Sequence, residues 1–181
     1  MASSSGGENF EKALEDFDLA LRLKPDYAEA YAARSNVRYR YFDRKSPPDP
    51  KEIDLTYRQA LADINEAIRL DPKNWRFYHQ RASIQTGNHN LDAAEADYTE
   101  AIRLEPTSWT YWARGNFFDY WRKDTSKALG DFTLAIQLAE KEKAKTSYPE
   151  YPLEWLYRER GNLYEKLGEP EKAKADYEKS K

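Results

Sequence analysis

Small and bulky apolar side chains return along this chain at a helical beat. In the stretch Leu91 to Pro106, Ala94, Tyr98, Ala101 and Pro106 stand at intervals of 4, 3 and 5. The same frame occurs as Ala60, Ile64, Ala67 and Pro72, and as Ala13, Phe17, Ala20 and Pro25. It returns without its proline as Ala128, Phe132 and Ala135, and more weakly as Ala173, Tyr177 and Ser180. Intervals of 4 and 3 place a small, a bulky and a small residue on one helical face. The small residues let a second helix approach and the bulky one fills the space between. Each copy therefore predicts one helix of a packed pair, and the chain reads as a stack of such pairs.

A second pattern precedes the frame: Tyr31-x-x-Arg34-Ser35, Tyr78-x-x-Arg81-Ala82, Tyr111-x-x-Arg114-Gly115 and Tyr157-x-x-Arg160-Gly161. The fifth residue is small each time, which again points to close helix contact. Asn36, Asn116 and Asn162 follow it, with Ser83 in the second copy. Recurrence at one repeat position favours a packing role for the four arginines, with stems between helices and heads on carboxylates of the adjacent unit. The competing reading is a ladder of positive charge beside a binding face.

The leading alanines fall at 13, 60, 94, 128 and 173, in steps of 47, 34, 34 and 45. Thirty-four residues is the period of the tetratricopeptide helix-turn-helix unit. With its aromatic, small, aromatic, alanine, aromatic, alanine, proline order, the chain resembles the tetratricopeptide repeat family over roughly residues 9 to 181. The second and fourth full units carry the signature best, although arginine replaces the usual leucine in all four. The resemblance implies an all-α solenoid of antiparallel helix pairs, a right-handed superhelix of about nine helices. After a disordered segment 1–8 it would run as a half repeat 9–25 and repeats at about 28–72, 75–106, 109–146 and 153–181.

Residues 9 to 24 read as a second helix whose first helix is missing. Its face of Phe10, Leu14 and Phe17 is expected to pack on the helix starting near Ala28 and to leave one side uncovered. Either the chain is a fragment of a longer array, or another molecule covers this edge. The long outer steps hide two insertions. In the first, Ser46-Pro47-Pro48-Asp49-Pro50 stops a helix, and Asp49-Pro50-Lys51-Glu52 reads as a cap that starts the next. That helix is expected from Pro50 to Leu70. With Tyr39 and Phe42 extending the one before it, the pair is lengthened. In the second, residues 140–145 read as a solvated helical end and Ser147–Pro152 as a non-helical connector laying Tyr148 or Tyr151 on neighbouring helices; Pro149-x-x-Pro152 as a polyproline ligand is not favoured.

By resemblance, the first helices of successive units line a groove that takes partners. Counting from each small residue places Asn36 and Tyr39, His79 and Gln80, Trp112, Asn116 and Tyr120, and Arg158 and Asn162 on that groove, with Trp155 at its rim. Ala32, Ala33, Arg40, Ser83, Thr86, Ala113, Asp119, Glu159, Glu165 and Lys166 share the faces, and Arg76 and Trp109 the rim. Amides pair with a peptide backbone, arginine clamps carboxylates, and aromatic rings supply rigid contact area. The expected function is a non-catalytic scaffold holding a peptide or helix of a partner protein, with Trp112, Asn116, Tyr120, Arg158 and Asn162 at its centre. The alternative is a self-associating module joined through Phe10, Leu14 and Phe17. The two-carboxylate clamp of chaperone-binding members is incomplete: Ala32 and Ala113 stand where basic residues are required. Chaperone C-terminal tails are therefore not expected.

Composition narrows the remaining classes. Charged residues make up 34% and mean hydropathy is -1.01, which alone leans towards disorder. The 14% aromatic content and the periodicity oppose that. With no cysteine and 2 histidines, disulfides, thiol chemistry and a structural zinc are not expected. No apolar run approaches the ~20 residues that cross a bilayer, and the start has no secretory pattern. A net charge of -3 gives no reason to expect nucleic acid. Cytoplasm is the default, and no cofactor is implied. His79 and His89 do not face one metal, and Asp119 and Glu165 lack an accompanying nucleophile. No enzyme is expected.

Overall fold

The computed structural model describes residues 5–43, 50–143 and 153–181. Among these, the helices are α1 (Ser5–Leu23), α2 (Ala28–Asp43), α3 (Pro50–Leu70), α4 (Trp75–Gly87), α5 (Leu91–Leu104), α6 (Ser108–Phe117), α7 (Thr125–Lys143), α8 (Leu153–Lys166) and α9 (Pro170–Lys179). Helix α6 continues into a single π-helical turn, Phe118–Arg122. No strand occurs among the described residues. The chain divides into two compact units, the first ending at Asn90 and the second starting at Leu91.

Within each unit, consecutive helices pack on each other: α1 on α2, α2 on α3 and α3 on α4 in the first, and α5 through α9 in order in the second. The frame alanines explain why. Ala60, Ile64 and Ala67 are fully buried in the first unit, and Ala94, Ala128 and Ala135 in the second, with Tyr98 and Phe132 buried between them. Close approach is tightest at the glycines. A Cβ on Gly115 would stand 3.1 Å from the Phe132 ring, and one on Gly161 2.7 Å from the Tyr177 ring. The ring of one helix thus lies on the bare backbone of its neighbour. Helix ends follow local chemistry. α1, α3 and α5 stop at Leu23, Leu70 and Leu104, two residues before Pro25, Pro72 and Pro106. Asn74 caps α4, Thr107 and Thr110 form a reciprocal capping box on α6, and α9 opens on Pro170.

The recurring arginines form clasps. Arg34 grips Asp63 through Nε and Nη2 (2.9 and 2.5 Å), Arg114 grips Asp131 (2.8 and 2.8 Å), and Arg160 grips Asp176 (2.7 and 2.7 Å). Each carboxylate belongs to the helix that completes the arginine's own pair, one residue before its bulky residue. Nη1 then reaches the preceding helix one residue after its bulky residue: Asp18 for Arg34, Asn65 for Arg81, Thr99 for Arg114 and Thr133 for Arg160. The expectation that the heads bond carboxylates of an adjacent unit holds for Arg34 on Asp18 and is corrected for Arg81, Arg114 and Arg160, whose adjacent-unit partners are an amide and two hydroxyls. The bidentate carboxylate is internal to the pair, because a guanidinium fork matches it in two parallel bonds while Nη1 is left to point away.

One boundary differs from the expected one and another agrees with it. α1 starts at Ser5, not near residue 9, and 5–8 are helical. Ser-Gly-Gly-Glu is poor helix material, but adding a turn to an established helix costs far less than nucleating one. α3 starts at Pro50 and ends at Leu70 as its cap predicts, and α2 and α3, at 16 and 21 residues, are longer than α4 and α5 at 13 and 14. Tyr39 and Tyr57 meet where the pair is extended, with ring centroids 6.0 Å apart. Residues 1–4, the proline stretch before Pro50, the Phe42 side chain and the connector carrying Tyr148 and Tyr151 lie outside the described residues.

Candidate functional site

In the second unit, α6 with its π turn and α8 present their faces side by side. On α8, Trp155, Glu159, Asn162 and Lys166 follow the 4, 3, 4 spacing of one stripe. On α6 the matching stripe is Trp109, Trp112, Asn116 and Asp119. The two meet at both ends. At one end the Trp112 and Trp155 rings contact edge to face with centroids 5.3 Å apart, and Trp109 joins Trp112 at 6.2 Å. At the other end Lys166 Nζ donates to both Asp119 oxygens, at 2.7 and 2.6 Å. Asp119 is buried while Lys166 is half exposed. Tyr120 is 57% exposed and its ring centroid lies 5.9 Å from the Lys166 ammonium.

Between these ends stand the two asparagines, both half-buried. Asn116 Nδ2 donates to the Trp112 carbonyl at 3.1 Å, and Asn162 Oδ1 accepts from the Tyr177 hydroxyl at 3.0 Å. Packing therefore occupies the nitrogen of one amide and the oxygen of the other. Arg158 is exposed at the edge of the strip. Glu159 is half-buried, and burial followed by the nearby Asp119 charge holds its pKa above the usual carboxylate value, against weaker relief from Lys166 and Arg158.

The corresponding positions of the first unit are arranged differently. Gln80 Nε2 donates to the Ala32 carbonyl at 2.8 Å, which ties α4 to α2. Tyr39 packs on Tyr57, and its hydroxyl lies 2.7 Å from where a Gly87 Cβ would be. Burial pushes the His79 imidazole down to about 4, so it is neutral at physiological pH. Asn36 is exposed. On α1, Phe10, Leu14 and Phe17 are half-buried. The structure thus gathers the second-unit residues into one strip and uses Tyr39 and Gln80 between helices.

Sequence reasoning placed Asp119 and Lys166 on this face but missed their pairing and the π turn that carries Asp119. A signal was present in Phe117-Phe118-Asp119-Tyr120-Trp121, which holds more aromatic rings than one helical face can bury. Trp121 is 43% exposed as a result. Among the described residues, no group of three or more His, Cys, Asp or Glu side chains could hold a metal. No helix among them is long and apolar enough to cross a membrane.

A tetratricopeptide repeat model matches residues 76–108 and 156–181, the two units whose signature is fullest. No curated protein matches the chain in sequence. Solved structures share its fold. MamA is 16% identical with a TM-score of 0.70, covering 99% of this chain and 94% of its own. YrrB, described as a TPR protein with an unusual peptide-binding site, is 18% identical with a TM-score of 0.62, covering 97% and 78%. A human IFIT1 dimer with PPP-AAAA is 16% identical with a TM-score of 0.67, covering 95% and 44%. The fold is an all-α solenoid of helix pairs, and such repeats generally serve as non-catalytic scaffolds for protein–protein interaction. Repeat period, helix pairing and the family model support the assignment of this chain to the tetratricopeptide repeat family.

Proposed function

We propose that the chain is a peptide-binding scaffold whose site is the strip between α6 and α8. The observation that carries this reading is the Trp112–Trp155 contact beside two asparagines whose opposite amide ends are taken by packing. Asn116 retains its carbonyl as acceptor and Asn162 its NH2 as donor. A peptide group carries one N–H and one C=O, so an extended backbone satisfies both. The tryptophans supply rigid apolar contact, and Arg158 at the edge takes a carbonyl or carboxylate. Preformed helices keep the ordering cost on this side small. In this reading the repeats run as a half unit and four full units, and Asn36, Tyr39, His79 and Gln80 support the array more than they contact the peptide. YrrB, described with a peptide-binding site on the same fold, fits the reading.

The test is a displayed random-peptide library selected on the whole chain. Peptides recovered on the parent should lose at least tenfold in affinity on a Trp112→Ala, Arg158→Ala double variant, about 1.4 kcal/mol or more, with helix content unchanged by circular dichroism. Equal recovery on the double variant would remove the site. A second reading, self-association through the half-buried Phe10, Leu14 and Phe17 of α1, is separated by light scattering across concentrations. A monomer throughout the micromolar range would dispose of it.

A further inference from the structure

If the strip holds a peptide, as proposed, its own chemistry selects which one. Its aromatic end is closed by Trp112, Trp155 and Trp109 and takes an apolar side chain. Its other end carries two carboxyls, Asp119 and Glu159. Asp119 is buried, and its two oxygens hold the Lys166 ammonium at 2.7 and 2.6 Å, so that cation is committed to the protein. Glu159 lies half-buried on the same stripe of α8, one turn from Trp155 and Asn162. Its negative charge feels Asp119 more than it feels Lys166 or Arg158. Tyr120 adds a ring 57% exposed, already positioned near one ammonium. A half-buried carboxyl whose neighbouring Lys166 is already held by Asp119, with an open aromatic ring near that same ammonium, is matched by a further cation.

We infer that the occupant of this strip is a peptide segment that pairs an apolar side chain, seated on Trp112 and Trp155, with a lysine or arginine seated between Glu159 and Tyr120. This specificity rests on the peptide-binding reading of the strip. Charge complementarity selects a basic segment over an acidic one. Spacing comes from helix geometry. Seven residues separate Trp112 from Asp119, about 10 Å of helix axis. An extended segment covers that distance in about three residues. Glu159 is then the residue that sets specificity, while the two asparagines read backbone regardless of sequence.

The experiment uses the peptides recovered from the unbiased library and the whole chain carrying Glu159→Gln, a substitution of equal size. Peptides that depend on Trp112 and Arg158 should carry a basic residue two to four positions from an apolar one. Glu159→Gln should weaken them about fivefold, the size of one partly exposed charge pair. The same peptides with the basic residue changed to methionine should bind parent and variant alike. If peptides dependent on Trp112 and Arg158 are acidic or show no charge preference, or if Glu159→Gln leaves their affinity unchanged, the inference falls while the site stands. If no recovered peptide depends on Trp112 and Arg158, the site itself falls, and the inference with it.

Discussion

The first-helix faces of the two units start from one repeat pattern and reach different ends. In the first unit, Gln80 bonds the Ala32 carbonyl, Tyr39 packs on Tyr57, and His79 is dehydrated into its neutral form. In the second, the same face carries Trp112, Asn116, Asp119 and Tyr120, and Trp112 and Asp119 join it to Trp155 and Lys166 of α8 in one strip. Both units keep the arginine clasp, with Asp63, Asp131 and Asp176 each about 5% exposed. The repeat thus fixes what holds a pair together and leaves its face free to vary. A role in stability is read from what recurs; a role in binding is read from what does not.

The largest expected effect breaks a clasp in each unit. Arg114→Met keeps the apolar stem but leaves the Asp131 carboxylate buried against it. Removing one partner of a buried pair costs about 3 to 5 kcal/mol. The equivalent Arg34→Met is expected to cost less, about 2 kcal/mol, because Asp63 also accepts from Arg38 Nη1 at 2.7 Å. Urea unfolding of the two variants measures the gap. Equal losses would show that the second arginine contributes nothing to the first unit's clasp.

The next effect is acid sensitivity, with opposite signs in the two units. Burial holds the His79 pKa at about 4, below its ordinary 6.5. The unfolded chain therefore binds that proton more readily than the folded one. Stability is full above about pH 6.5 and falls as pH drops towards 4, by up to about 3 kcal/mol. His79→Gln should remove that share, so the drop in urea midpoint between pH 7 and pH 4.5 is smaller than in the parent. Glu159 acts the other way. Its raised pKa favours the protonated form in the folded state, so acid relieves the second unit while it strains the first. Glu159→Gln should accordingly enlarge the acid loss. If His79→Gln leaves the drop unchanged, the imidazole is hydrated in the folded protein.

These contrasts show where sequence was enough. The frame Ala60, Ile64, Ala67 and its copies in the second unit are core because a helical period names a face, and a face is all that packing requires. The end of α3 at Leu70 and its start at Pro50 were readable because caps and prolines act locally. The clasp carboxylates were also in view, as the residue before Ile64, Phe132 and Tyr177, yet periodicity does not say which polar neighbour an arginine will choose. Asp63, Asp131 and Asp176 become its partners only once two helices cross. The π turn was out of reach for a related reason: its hydrogen bonds run one residue further than the helical ones, and no spacing of apolar residues announces that shift. Tyr39 and Gln80 share the groove count with Trp112 and Asn116, and what separates them is which neighbouring helix they reach.

The smallest effect concerns the small residue at the helix crossing, where the units again diverge. The first unit has Ser35, whose Oγ donates to the Ala60 carbonyl at 2.8 Å, and its bulky frame residue is Ile64. The second unit has Gly115 and Gly161, with Phe132 and Tyr177 as the rings that lie on them. Adding a methyl in a helix gains up to about 1 kcal/mol in propensity over glycine, while overpacking costs about 1 to 3 kcal/mol. At Gly161 the new carbon would sit 2.7 and 2.9 Å from Tyr177 ring atoms, so Gly161→Ala should lose about 1 kcal/mol net. At Gly115 the nearest ring atoms are 3.1 Å away, and Gly115→Ala should come out near neutral. If the ring is what demands glycine, the demand vanishes when the ring does. Gly115→Ala made in a Phe132→Ile background should therefore stabilise by about 1 kcal/mol relative to that background. A loss there instead would mean that the Asp131 Cβ, 3.3 Å from the same point, sets the limit. The clasp, and not the ring, would then be the reason this position must stay bare.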